Sequence, residues 1–374
     1  MAKRNNTLKP VVVKEHAVQS LAEAGIYDLE LPNGTKIVAL ANTLFPNHDE
    51  NAVKLILDHI ERTRPEVVFL LGHIADEDSF RALADTEVNF LHRLKDAQAL
   101  ADAMANDGFE ERVLALGKAN GDFIKRFAQF GASVFYIPSW TNIGLPNELS
   151  IMDYVQMKKR FLDTWAANHP DASDIPSDPS VKLPTEIDEL FGIDGLENIQ
   201  VLPYGAGVLV NGTTLFMVGS FRRRAAGDSS QEEWLQRGYD IVKSVDGKSG
   251  SAWWTDIEHT LPEPVNNSHQ SHEVGYLWQA NRNGHLGDYH RRSQSIGVFT
   301  MYHDHLFGEV VPFVPGSDGR RSLVIEGHSY TEETAGAKKN GGTLKLAHSK
   351  SEPLKVNAPT RRGAAARSTR SRKR

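Results

Sequence analysis

The sequence predicts an α/β protein, and three adjacent segments carry that prediction. Lys36–Ala41 (KIVALA) is a short apolar run of strand formers, set off by the turn signal Pro32-Asn33-Gly34. A helix is expected from Asp49 to Arg62, because Val53, Ile56, Leu57 and Ile60 recur at helical spacing on one face. Pro65 stops it, and Val67–Leu71 (VVFLL) follows as a strand apolar throughout, as a parallel strand covered on both faces should be. Two parallel strands joined by one crossover helix is the unit from which the rest of the prediction grows.

Beyond this unit, residues 81–106 and 109–130 read as helices separated near Asp107-Gly108, and Ser133–Ile137 reads as a strand ending at Pro138. Asp153–Ala167 reads as a helix, and the Pro-, Asp- and Ser-rich stretch 169–185 as a surface loop. Ile199–Leu202, Gly207–Val210 and Thr214–Val218 are short strands, the last two joined by the hairpin signal Asn211-Gly212. Gln231–Arg237 reads as a short helix, and residues 246–295, which lack periodicity, read as loops. Ile296–Tyr302, Glu309–Val314 and Ser322–Glu326 are the closing strands.

Composition narrows the class of function. The 374 residues are 40% hydrophobic and 24% charged, enough to bury a substantial core. There is no cysteine, which excludes disulfides, thiolate zinc sites and cysteine nucleophiles together. No apolar run is long enough to span a bilayer, and the start MAKRNNTLKPVVVKEH has no apolar signal core, so a soluble cytoplasmic protein is expected. Charge is divided unevenly: from Gly336 onward the net is +11, against −17 for residues 1–335. The tail should attract polyanions and the body repel them.

In open α/β sheets the functional loops follow the carboxyl ends of the strands. Here they are ALANTLFPNHDE around the first strand end, FLLGHIADEDSF around the second, FYIPSWTN around the third, and Gly219-Ser220-Phe221. In order and spacing this set resembles the calcineurin-like metallophosphoesterase family, in its bacteriophage and bacterial form, over about residues 36–330. The resemblance implies a four-layer α/β/β/α sandwich. It covers a domain at 36–330, which leaves an extension at 1–35 and, at 331–374, a Gly-, Lys-, Ser- and Arg-rich basic tail whose lack of apolar periodicity predicts no fold of its own.

The resemblance also implies which positions should hold two metal ions, and those positions carry other residues. Asn42 and Leu44 stand for the family's first Asp and His, and His73 for its bridging Asp. Trp140 and Thr141 stand for the Asn and His of the third motif, and Val218 for the His before Gly219. Lys243–Ser251 contains no histidine for the last motif, and Asp76, the one acid kept, is not a direct ligand in the family. Two like-charged cations need anionic and imidazole ligands between and around them. The expectation is therefore no catalytic residue, no metal and no cofactor, in a protein that binds or builds.

Other clusters have two readings each. Arg222, Arg223 and Arg224, after a strand end, can take a phosphate through forked guanidinium contacts, or be a solvated run facing the acidic body. His303 and His305 can share a metal, or belong to a polar hairpin turn, the commoner case; His269 and His272 form a similar pair. His285 and His290 read as surface or packing residues, and Trp253, Trp254 and Trp278 as interface anchors or core. In the tail, Arg361, Arg362, Arg367, Arg370, Arg372, Lys373 and Arg374 can neutralise phosphates without reading sequence, since no aromatic accompanies them. Three functions follow: a catalytically inactive metallophosphoesterase-like protein with protein partners, in a virion or other phage-encoded setting; an active hydrolase rebuilt around His73, Asp76 and the three arginines; or a protein held on nucleic acid by its tail.

Overall fold

A computed structural model describes residues 9–11, 26–94, 96–105, 107–139, 142, 144–147, 149–169, 183–203, 205–218, 240–244, 271–278, 294–317 and 320–332. The chain divides into two units, Met1–Glu333 and Thr334–Arg374; of the tail expected at 331–374, Thr331 and Glu332 belong to the first unit's ordered structure, and residues 333–374 lie outside the described residues.

The expected βαβ unit is present as β3 (Lys36–Ala41), α1 (Glu50–Thr63) and β4 (Val67–Gly72), with β3 and β4 parallel. Asp49 caps α1 by accepting the Ala52 N–H, and Arg64 ends it in the left-handed conformation. Parallel pairing continues through β5 (Ser133–Pro138) to β6 (Ile199–Val201). On the other side, β11 (Ser295–Tyr302) joins β3 antiparallel and carries β12 (His305–Pro312) at the edge, giving the order β12-β11-β3-β4-β5-β6.

A second sheet also has six strands. It comprises β1 (Lys9–Val11), β2 (Ile26–Leu29), β7 (Gly207–Val210), β8 (Thr214–Met217), β9 (Asp240–Ser244) and β10 (Ser271–Val274), in that order. Two of these strands precede Lys36. The stretch before the βαβ unit therefore supplies sheet structure, with β2 parallel to β7. Neither β2 nor β10 has an alternating or continuously apolar pattern, which hides both from a periodicity argument.

The two sheets pack face to face. Ile37, Ala39, Val67, Phe69 and Phe135 of the first meet Leu29, Val208, Phe216, Val242 and Val274 of the second, with Phe69 stacked on Phe216 at 4.0 Å. The first sheet's other face, with Val38, Leu40, Val68, Leu70, Val134 and Tyr136, is covered by helices. These are α1, α2 (Glu77–Leu91), α3 (Ala97–Ala105), α4 (Phe109–Ala128), α5 (Leu149–Asn168) and α6 (Ile187–Phe191). Ile26, Leu215, Met217 and Ile241 form a small buried cluster on the far face of the second sheet. Helix, sheet and sheet are thus described; among the described residues that outer cluster contains strand residues alone.

The helix expected across residues 81–106 is two. Asp76 starts α2 four residues early by capping the Asp78 N–H, and Asp96 begins a new helix by accepting the Ala99 N–H at 2.9 Å. Where α4 meets α6 the approach is close: a side chain at Gly121 would put its Cβ 1.8 Å from the Phe191 carbonyl oxygen, so only glycine fits. Residues 231–237 and 246–270 lie outside the described residues, as does most of the 169–185 loop.

A three-stranded sheet, β13 (Val314–Pro315), β14 (Arg321–Ile325) and β15 (His328–Thr331), packs beside α1. Arg321 grips Asp49 with both guanidinium nitrogens, at 2.5 and 2.9 Å, and also bonds Glu332. His59 of α1 lies buried against Tyr330, whose hydroxyl is 3.1 Å from His59 Nδ1. Burial pushes the imidazole down to about 4, aided by Lys36 and Arg62 and only partly opposed by Glu326. The unfolded chain takes this proton near pH 6.5 and the folded one only near 4. Folding stability is therefore untouched by His59 above pH 6.5 and is lost as pH falls from 6.5 to about 4, by about 3 kcal/mol. Urea titrations across that range should show the loss, and His59→Phe should remove most of it.

Candidate functional site

The carboxyl ends of β3, β4 and β5 carry the loops in which the sequence places a former metal centre. Each loop leaves its strand sharply. Asn42 and Leu44 have φ of 47° and 53°, and Gly72 has φ of 85°. Gly72 is required twice over, since a Cβ there would also meet Asn42 Oδ1 at 2.5 Å. The first two loops then run side by side, with Leu44 N–H donating to His73 O, Phe45 N–H to Ile74 O and Asp76 N–H to Phe45 O. The strand pairing of β3 and β4 is in effect carried into their loops.

Side chains close the arrangement from within. Asn42 Oδ1 accepts the His73 N–H at 3.0 Å, and Thr43 Oγ1 donates to Ile74 O at 3.0 Å. Asn142 does most. Its Oδ1 accepts from Ile74 N–H (2.8 Å), Ala75 N–H (3.0 Å) and the Tyr136 hydroxyl (2.8 Å), while its Nδ2 donates to Ala75 O (2.9 Å). Tyr136 is fully enclosed, and burial holds its hydroxyl well above the ordinary pKa, so it is a donor at any physiological pH. Ser139 Oγ accepts the Asn142 N–H at 3.3 Å and lies at hydrogen-bond distance, 3.2 Å, from His73 Nδ1. Asn42, Thr43, His73, Ser139 and Asn142 are all buried.

The second sheet and a crossing segment complete the enclosure. Ser244, at the end of β9, is buried with its Oγ 3.4 Å from where a Gly72 Cβ would be. Tyr276, Leu277 and Trp278 run over the first loop: Leu277 N–H donates to Asn42 O, and Asp49 N–H to Leu277 O. All three side chains are buried. Gln294 Nε2 ties the segment to the cap of α1 by donating to both Trp278 O and Asp49 Oδ2.

The sequence-derived candidates fall as follows. Asn42, Leu44 and His73 come together at the strand ends, Leu44 as a buried apolar side chain. Asp76 lies beside them, but its carboxylate is the cap of α2, accepting from Asp78 N–H, Ser79 Oγ and Asn47 Nδ2. Trp140, Thr141, Arg222, Arg223, Arg224, Trp253, Trp254, His269, His285, His290 and the seven tail cations lie outside the described residues. Val218 is half-buried against the inter-sheet core, and Trp278 is buried against Tyr276 at 5.0 Å, a packing role rather than an exposed anchor. His272 sits buried in β10, edge-on to Phe299.

His303 and His305 belong to a hairpin. His303 and Asp304 form a two-residue turn with φ of 48° and 63°, held by Asn33 Oδ1 on the His303 N–H and by Thr213 Oγ1 on Asp304 O. Sequence reasoning missed Asn142 and Tyr136, the residues that bind the loops together. Their signal was slight, an Asn four residues beyond a strand and a Tyr within it. It missed the Tyr276–Trp278 crossing as well.

Two divalent cations do not fit the described residues here. Leu44 has no lone pair, the Asn42 and Asn142 oxygens already accept backbone N–H groups, and Asp76 is committed to its helix. Among the described residues, no three His, Asp or Glu side chains converge as metal ligands would, and no helix is long and apolar enough to cross a membrane.

No protein-family model matches the chain, and no curated protein does. Among solved structures, the chain is similar to Chaetomium thermophilum Vps29, with 11% identity over 81% of this chain and 100% of that one, at a TM-score of 0.35. It is also similar to Vacuolar Protein Sorting 29 from Cryptosporidium parvum, with 10% identity over 80% of this chain and 96% of that one, at a TM-score of 0.29.

Proposed function

We propose that this chain is a metallophosphoesterase-like scaffold that binds or assembles with other macromolecules and does not hydrolyse phosphate esters. One observation carries the reading: the polar side chains at the ends of β3, β4 and β5 spend their hydrogen bonds on the protein's own loops. Asn142 alone fixes three donors and one acceptor of its surroundings. A hydrolytic centre keeps donors and acceptors aimed at the place where substrate charge develops, whereas here they are turned inward and buried.

The resemblance in loop order supports the scaffold. Replacement of the ligand positions by Asn42, Leu44 and His73 supports the loss of chemistry. Fold alone does not name a function; the likeness to phage-type family members extends the reading to a phage-encoded or virion-associated accessory role with protein partners. The test is metal analysis of the purified full chain together with turnover of an aryl phosphate in added manganese. No stoichiometric divalent metal and no rate above the enzyme-free control are expected. Two retained metal equivalents with manganese-dependent turnover would overturn the reading.

A further inference from the structure

We propose that the chain pairs with a second copy of itself through the outer edge of β12, which pairs with no other strand among the described residues, joining the two first sheets into one continuous antiparallel sheet. Proteins generally blunt exposed sheet edges by keeping them short, or by placing Lys, Pro or a bulge on them. The other described edges are short: β1 and β6 have three residues each, β13 two, and β10 and β15 four. β12 has eight, pairs with β11 without a bulge, and has no Lys and no Pro before Pro312.

Its outer half is bare. His305, Phe307, Gly308 and Glu309 are exposed, whereas Val310, Val311 and Pro312 are partly or fully covered. Phe307 is 58% exposed and lies 6.2 Å from Tyr302, itself 55% exposed. Two neighbouring aromatics in water beside an open strand edge are costly unless something covers them.

The hydrogen-bond alternation says which groups are offered. The two-residue turn makes Tyr302 and His305 a closing hydrogen-bonded pair, so Phe307 and Glu309 also bond inward to β11. Met301, opposite Leu306, bonds instead toward β3 through Thr35 O and Gly34 N–H, as this alternation requires. Leu306 and Gly308 therefore aim their N–H and C=O groups at the open edge.

Side-chain chemistry then selects a second copy. In antiparallel self-pairing each side chain faces one on its own side of the sheet. Centring the pair on Phe307 uses the bare stretch 305–309. It sets Phe307 against Phe307 of the second copy on the two-fold axis, and Leu306 against Gly308 of the second copy in hydrogen-bonded pairs. It also sets His305 opposite Glu309 of the second copy, twice by symmetry. The contact is self-complementary in backbone hydrogen bonds, apolar surface and the polar pairing of imidazole with carboxylate, as a two-fold interface must be.

The absence of cysteine makes the test specific. Phe307→Cys places two thiols at a non-hydrogen-bonded pair, with Cα atoms about 4.5 Å apart, within the roughly 4.4–6.8 Å a disulfide spans. Glu309→Cys leaves them about 13 Å apart, from four residues of strand rise. Light scattering on the full chain should give a dimer mass. Oxidation should cross-link the Phe307 variant nearly completely and the Glu309 variant hardly at all. In a His305→Lys background, Glu309→Lys should weaken dimerisation about tenfold by setting like charges opposite, and the swapped pair His305→Glu/Glu309→Lys should restore it. A monomer at the highest soluble concentration overturns the proposal, including in favour of a strand from another protein at this edge. Equal cross-linking of both cysteine variants, or a dimer indifferent to the charge changes, overturns it too. Both substituted side chains are exposed, so folding is expected to survive, and circular dichroism melts check that independently.

Discussion

Asn142→Ala is expected to destabilise the protein by about 4 kcal/mol or more, the largest effect of any substitution at the candidate site. The alanine would strand the Ala75 N–H, the Tyr136 hydroxyl and the Ala75 carbonyl, and leave the Ile74 N–H with Gly72 O alone, all of them partners of Asn142 in a buried setting. Each buried polar group left without a partner costs about 1–3 kcal/mol, and some water will enter to relieve part of it. Tyr136→Phe strands no backbone group and should cost only about 1 kcal/mol. Urea unfolding of the two variants separates the explanations. Were Asn142→Ala no worse than Tyr136→Phe, the loops would not depend on that side chain, and their closed state would need another cause.

Lys158→Met should cost about 3–5 kcal/mol, the range for removing one partner of a buried ion pair. Lys158 on α5 reaches Asp107 at 3.0 Å and Glu110 at 2.9 Å, at the start of α4, with the charged ends of all three nearly excluded from water. Burial by itself would lower the lysine's pKa, but the hydrogen bonds it donates to Glu110 and Asp107 outweigh it and raise the pKa above the ordinary value. Tyr154 also donates to Asp107, and burial together with that carboxylate pushes its hydroxyl far up. Methionine would leave two carboxylates facing each other without a cation. The double variant Lys158→Met/Glu110→Leu should recover part of the loss, because one stranded charge is then gone. A fall in the denaturant midpoint for the single variant and its partial return in the double variant are the expected readings.

These two clusters differ in how much of them could be read from the chain. Asp107-Gly108 was visible as a break between helices, but its ion pair with a lysine 51 positions away was not. Asn142 belongs to the motif region that the resemblance singles out, yet its partners are main-chain groups of another loop. Backbone hydrogen-bond demand leaves no mark on sequence pattern. The Tyr276–Trp278 crossing was hidden for a similar reason: it is held by main-chain bonds to Asn42 and Asp49 within a stretch with no periodicity.

What the sequence determined by itself is the part governed by local pattern. Apolar period and punctuation located β3, α1, β4 and β5, and Asn211-Gly212 marked the turn between β7 and β8. That Asn42, Leu44 and His73 are poor ligands for a pair of divalent cations was legible because ligand capacity depends on residue type. Tertiary structure alone decided that β2 and β10 are strands, since pairing partners far along the chain supply the hydrogen bonds their own pattern does not advertise. It also decided that the loops after β3 and β4 are bonded to each other and to Asn142, because such bonds depend on which distant backbone groups meet a given side chain.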